Sequence, residues 1–202
     1  MDKNMMSKAL EYVDKGWKVF PLHTAKESKC SCSNPNCSSA AKHPRIKEWQ
    51  KSCSDQPSAI KDWWKKWPDA NIGLATGSAS GFFVLDIDPR HGGKESMQRL
   101  VRQNGMLPKT LASSTGGGGY HFFFKKPDFK LGNRANILPG LDIRGDGGYV
   151  VAPPSIHASG MSYGWMKQFS NVLPMNAPEW LVRICVGDNN LFSTSKSSKS
   201  AL

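Results

Sequence analysis

Val84-Leu85-Asp86-Ile87-Asp88 is the stretch from which the chain is best read. Side chains alternate along a strand, so Asp86 and Asp88 share one face while Leu85 and Ile87 turn the other way, into a core. Two carboxylates about 4 Å apart repel by about 4 kcal/mol at an effective dielectric of about 20. A strand that sets them side by side therefore calls for a cation between them. Together with phosphate oxygens, such a pair suits magnesium or manganese. Each piece also has a plain reading. Asp88 before Pro89 can open a turn, and an isolated Asp-x-Asp arises by chance.

The same parity argument extends downstream. In Leu141-Asp142-Ile143-Arg144, a third carboxylate and a guanidinium share a face, and Leu141 and Ile143 take the other. Asp142 and Arg144 also make sense as a simple ion pair, with Asp146 an alternative third acid. His121 lies opposite Phe122 and Phe124, so it too looks toward a polar site. The run Gly116 to Gly119 reads as a hairpin turn whose backbone N–H groups can approach a triphosphate. No Gly-Lys-Ser or Gly-Lys-Thr follows it, so it is not a Walker loop. Strand-borne Asp-x-Asp, a later His and a third Asp are the usual parts of two-metal phosphoryl transfer.

Around this centre, helices are expected over 4–15 (closed by Gly16), from a Ser54 or Asp55 cap to about Trp67, over 93–104, and for about ten residues after Pro178. Strands are expected over 17–22, 72–76, 81–88, 110–115, 120–125, 141–144 and 149–152. Ile60, Trp63, Trp64 and Trp67 recur at helical spacing and read as core packing, not as a base-stacking platform. The elements lack a regular βαβ rhythm, which predicts an α+β fold with a mostly antiparallel, curved sheet. One domain over 1–187 is expected, and the Ser- and Lys-rich 188–202 reads as a disordered tail or linker.

The sequence holds 27 Lys and Arg against 16 Asp and Glu, a net charge of +11, so a polyanion is the natural partner. No stretch approaches the roughly 20 apolar residues of a membrane span, and 1–8 lacks a signal-peptide core, which predicts a cytoplasmic setting. There, cysteines act as thiols or metal ligands more often than as disulfides. Cys30, Cys32, Cys37 and His43, spaced C-x-C-x4-C-x5-H, lie in a loop (about 23–49) that is otherwise unanchored. Three thiolates and an imidazole make a closed, structural zinc site. Unpaired surface thiols are the competing reading. Cys53 and Cys185 lack partners and read as buried apolar residues. Lys42 and Arg45 are expected to help hold a template backbone.

The sequence resembles the N-terminal domain of bifunctional primase-polymerases (Prim-Pol), in the archaeo-eukaryotic primase superfamily of plasmids, phages and mobile elements. The blocks that carry the likeness are 16–22, 42–45, 70–77, 84–88, 118–121 and 141–155. The resemblance implies an RNA-recognition-like (RRM-like) catalytic sheet beside a smaller N-terminal α/β unit. It implies that Asp86, Asp88 and Asp142 ligate two magnesium or manganese ions, that His121 contacts the incoming triphosphate, and that Ser113, Ser114, Thr115 and Arg144 contact the nucleotide. It also supports zinc on the cysteine loop. Single-stranded or primed DNA, nucleoside triphosphates and a helicase domain or subunit are the implied partners. Relatives often use a following helical domain for de novo priming. The chain stops short of one, so primer extension is the expected isolated activity. Two rival readings share some of these features: a manganese-dependent glycosyltransferase, and a zinc-containing nucleic-acid-binding module without catalysis.

Overall fold

The computed structural model describes residues 4–27, 29–169 and 172–187. The expected tail from 188 lies outside them. The first half of the chain runs α1 (Met5–Val13), β1 (Val19–Leu22), a small hairpin of β2 (Ala25–Lys26) and β3 (Lys29–Cys30), then α2 (Trp49–Ser52), α3 (Pro57–Lys66) and β4 (Asn71–Ala75). The second half runs β5 (Phe82–Ile87), α4 (Gly93–Asn104), β6 (Ala112–Ser114), β7 (Tyr120–Lys125), β8 (Arg134–Leu138), β9 (Leu141–Arg144), β10 (Tyr149–Ala152), β11 (Gly164–Trp165) and α5 (Glu179–Val186). No helix among the described residues is long and apolar enough to cross a membrane.

All strand pairs are antiparallel. The mixed α/β architecture is therefore as expected. A six-stranded sheet has the order β11-β6-β7-β5-β9-β8, and a three-stranded sheet the order β1-β4-β10. The smaller sheet departs from the expected N-terminal unit, because β10 crosses over to pair with β4. The neighbouring strands β9 and β10 thus belong to different sheets, parted by the glycine-rich segment 145–148.

Alternation in β5 divides the large sheet. Phe83, Leu85 and Ile87, with Phe124, Leu141 and Ile143, form one buried cluster with Leu100 of α4 and Leu181 and Ile184 of α5. Phe82, Val84 and Phe123 turn the other way and pack with Ile72 and Leu74 of β4 and with α1 and α3. Each fully buried side chain of this size contributes about 1.5–3 kcal/mol. Two residues beyond Val84, on that same face, stands Asp86. The face that closes the core at one end therefore presents polar groups at the other.

The helices form for local reasons. The Asn4 side chain caps α1 by accepting the Ser7 N–H at 3.2 Å. Met5, Ala9, Tyr12 and Val13 are its buried positions. Helix α3 starts later than expected, at Pro57, because Ser54 accepts the Gln56 N–H in a turn and pairs with Val19 through the backbone. Its Ile60 and Trp64 are buried, and Trp63 and Trp67 pack against the core edge, in keeping with the packing role read for the stripe.

Candidate active site

The antiparallel register sets four polar side chains in one row across four strands. Ser113 pairs with His121, His121 with Asp86, and Asp86 with Asp142. Directly opposed residues project to the same face, so β6, β7, β5 and β9 each supply one group to one surface. His121 is buried, with Nε2 3.6 Å from Asp86 Oδ1. Burial holds its pKa below the ordinary value of 6.5, and Asp86 only partly offsets this, so the ring is neutral at pH 7. His121 Nδ1 and Ser113 Oγ are buried without a hydrogen-bond partner in the protein.

Each of the outer carboxylates is held by an arginine. Asp88 lies one residue past the end of β5, where it caps the short 3-10 turn Pro89–His91 and accepts the Arg90 N–H at 3.0 Å. The Arg90 guanidinium binds it in a fork at 3.1 and 2.8 Å, and His91 Nδ1 is at 3.0 Å. The Arg90 contact holds the Asp88 carboxyl well below the usual carboxylate range. Its backbone is fixed as well, since the Asp88 N–H donates to Gly140 O at 2.8 Å. Arg144 Nη2 lies 2.7 Å from Asp142 Oδ2 and 3.5 Å from Asp86 Oδ2. The other Asp142 oxygen accepts the Asn136 N–H at 2.8 Å.

A cleft of about 480 Å³ opens over this row, lined by Asp86, Asp88, Arg90, His121, Arg144 and Lys42 among others. Thr115 and the glycine run form its rim. Gly118 closes the turn at φ +86°, and a Cβ on Gly119 would stand 2.4 Å from the Ile87 carbonyl, so only glycine lets the turn lie this close to β5. Of the four glycines, Gly118 and Gly119 spend their N–H groups within the turn, on the Thr115 carbonyl and Oγ1. Gly117 and Gly119 line the cleft, while Gly116 is buried against His157 and Met161, so Gly117 is the turn glycine whose N–H is left to face a ligand.

Ser114 is not brought to this cleft. It alternates with Ser113, pairs with Tyr120 on the opposite face, and donates to the Gly164 carbonyl at 3.3 Å. Asp142 belongs to the row but stands behind Arg144, outside the cleft lining. Asp146, the alternative third acid, accepts the N–H groups of Ser78 at 2.6 Å and Leu131 at 3.1 Å and serves the loops instead. Arg45 does not reach out to a template. Its guanidinium binds Leu22 O, Thr24 and Ser31, lies 3.6 Å from Asp69 and stacks over Trp67. Lys42 does line the cleft, anchored through its carbonyl by the Tyr149 hydroxyl at 3.0 Å. The sequence reading missed Arg90, Tyr149 and Tyr163 as lining residues. For Arg90 the signal was present, because Asp-Pro-Arg is a side-chain-capped turn that returns the third residue to the first.

Cys30, Cys32, Cys37 and His43 form a second centre. Their ligand atoms all lie within 4.8 Å of one another, a group able to hold a metal ion. Cys30 Sγ is 3.3 Å from His43 Nε2. Although burial opposes it, the Cys32 and Ala41 backbone N–H groups and His43 draw the Cys30 thiol down to about 6. Among the described residues this is the set of three or more His, Cys, Asp or Glu gathered so tightly. The three aspartates are not gathered in that way. Cys185 is buried and pushed up to about 12 by that burial, as an apolar packing residue should be. Cys53 is only half-buried, with its thiol toward the Gln50 carbonyl, which corrects the expectation for it.

An antiparallel sheet that carries a carboxylate and histidine row beneath a cation-lined cleft defines a protein suited to a polyanionic ligand. The chain matches, over residues 9–180, the family described as bifunctional DNA primase/polymerase, N-terminal (Prim-Pol), and belongs to it. A comparison with curated proteins found no match. Membership points to a nucleotidyltransferase role in primer synthesis or polymerisation, with DNA template and nucleotides as substrates and a general use of divalent metals.

Proposed function

We propose that the chain is a template-dependent nucleotidyltransferase of a replicon or mobile element, extending a 3′ hydroxyl with nucleoside triphosphates by two-metal phosphoryl transfer. The observation that carries this is the row Ser113, His121, Asp86 and Asp142, with Arg90 and Arg144 seated on its carboxylates. Guanidinium groups on Asp88 and on the Asp86–Asp142 pair occupy the places where positive charge is wanted, so the donor set fits hard divalent cations. Asp86, Asp88 and Asp142 would hold magnesium or manganese, which when bound activates the attacking hydroxyl and stabilises the departing pyrophosphate.

The remaining roles fall to the chain's own groups. Neutral His121 donates from Nε2 to a phosphate oxygen without competing as a cation. Lys42, Arg90 and Arg144 neutralise the triphosphate, and Arg90, more than half exposed, is free to swing from Asp88 to a phosphate. Thr115 and the backbone of Gly117 approach the triphosphate from the rim. Ser113 pairs with His121 across the ladder, buried and outside the cleft lining.

The strand order β6-β7-β5-β9, with α4 crossing between β5 and β6, supports an RRM-like catalytic sheet. We take 1–187 as the catalytic unit, with a structural zinc ion on Cys30, Cys32, Cys37 and His43. A cytoplasmic setting and a helicase domain or subunit as partner are further parts of this proposal, argued from the family likeness alone. A sugar transferase would share the carboxylates but has no call for +11 charge. A purely binding module gains nothing from two acids, Asp86 and Asp88, in the cleft where phosphates would pass.

Incorporation on a primed and an unprimed template, with ribo- and deoxynucleotides under magnesium and manganese, tests this reading. Asp88→Asn is expected to abolish extension while keeping the fold and template binding. Extension near the wild-type rate in that variant would remove Asp88 from the site, and no extension by the wild type under any of these conditions would remove the activity.

A further inference from the structure

On the other face of the large sheet a second groove, of about 770 Å³, lies between α4 and β7. Helices α4 and α5 cover the β5, β9 and β8 side of that face, which leaves the β7 side open. Tyr120, 40% exposed, and Phe122 project into the groove from β7. Lys94, Met97, Val101 and Arg102 face it from α4, at the i, i+3, i+7 and i+8 positions of one helical stripe. Among the described residues neither Lys94 nor Arg102 has a carboxylate within 4 Å. Ile87 lines both this groove and the catalytic cleft, and the glycine turn separates them, with Gly117 and Gly119 on the cleft side and Gly118 on the groove side.

We propose that this groove is a second site for single-stranded nucleic acid, where a strand leaving the cleft passes over the glycine turn, stacks a base on Tyr120 and places phosphates on Lys94 and Arg102. The proposal takes its direction from the reading of the cleft as a strand-extending site. Three observations favour a nucleic acid over a peptide: continuity with the cleft at Ile87, unpaired cations flanking an exposed aromatic ring, and a net charge of +11. An aromatic face with flanking cations is the arrangement by which single strands are held without sequence preference. The apolar floor of Met97, Val101 and Phe122 accepts the base, and the cations accept the backbone.

Fluorescence anisotropy with labelled oligothymidylates of about 6 and about 18 nucleotides, at several salt concentrations without divalent metal, tests the site. The longer strand is expected to bind more tightly, and Tyr120→Ala to remove that gain, a roughly five- to hundredfold loss, with Tyr120→Phe close to wild type. Lys94→Gln with Arg102→Gln is expected to lower the slope of log affinity against log salt by about 1.4, the release of two single-strand counterions. Melting temperatures check that the variants are folded. Primer extension by the wild type is measured beside the binding. Extension together with binding indifferent to these three side chains overturns the groove and leaves the catalytic reading. In that case the apolar floor belongs to a protein partner's amphipathic helix. Binding that depends on them without extension does the reverse.

Discussion

The two polar centres of this protein are held in opposite ways. The Ser113–His121–Asp86–Asp142 row is fixed by the ladder of the large sheet, and its carboxylates already carry arginine partners. The Cys30–Cys32–Cys37–His43 group sits on two-residue strands and turns, with Glu27, Ser33 and Ala41 in left-handed backbone. Between 23 and 45, Ala41 is the buried apolar residue among those described. The loop's ties to the rest are polar, such as Asn71 Nδ2 to Ala41 O at 2.9 Å, the Arg45 N–H to Pro21 O at 2.9 Å and the Arg45 guanidinium to Leu22 O at 3.2 Å. A site built on a ladder keeps its shape without its ion, whereas a site built on turns needs the ion for its shape.

The largest expected effect comes from breaking the row chemically while leaving its ladder intact. Asp86→Asn keeps the strand, the packing of Val84 and the pairing with His121, so the melting temperature should move by no more than a few degrees. Incorporation should fall roughly a thousandfold or more, the loss of about 4 kcal/mol of transition-state charge stabilisation. A variant that unfolds instead of losing only activity would show that the row is structural, and the contrast between the two centres would collapse.

The cysteine centre should behave the other way. About one zinc per chain is expected, and a strong chelator or Cys32→Ser should cost a few kcal/mol, lowering the melting temperature by about 6–12 °C. Hydrogen exchange should rise over 23–45 and stay slow in β5 and β7. Because Lys42 adjoins His43 and lines the cleft, weaker nucleotide binding at an unchanged chemical rate is the expected functional trace. A zinc-free protein with undiminished stability would mean that turns alone hold the loop.

Much of this was legible in the sequence where local signals agreed. Helix α4 and strands β7, β9 and β10 run where periodicity and flanking glycines place them. The two-residue period put His121, Asp86 and Asp142 each on the polar face of its own strand, and the pairing register then joins those faces. The same period separates Ser113 from Ser114, and applying it there would have kept Ser114 out of the cleft. What the sequence withheld was tertiary. Strand β8, Arg-Ala-Asn-Ile-Leu, lacks a two-residue alternation, is irregular in register and has Asn136 at φ +51°, so it carries no strand signature. That β10 leaves β9 for β4 is a property of the sheets and of no single segment. Arg45 reads as a free cation until Trp67 and Asp69 fold against it.

The smallest expected effect lies between the two sheets, at Asp146. One carboxylate oxygen accepts the Ser78 N–H, beyond β4, and the other the Leu131 N–H, ahead of β8, while the Asp146 N–H returns to Leu131 O at 2.6 Å. Burial opposes the charge, yet the N–H groups of Ser78 and Leu131 win and hold the carboxyl below its usual 3.8. A folded value below the unfolded one means that the unfolded chain binds more protons as acid is added. The contribution is therefore complete above pH 3.8 and fades as the pH falls through the lower folded value. Asp146→Asn turns one acceptor into a donor facing an N–H, at a cost of about 1–2 kcal/mol. Denaturation followed from pH 7 to pH 2 should show the wild type losing its advantage over Asp146→Asn only at the acid end. An equal gap at every pH would mean that shape, and not charge, joins the sheets here.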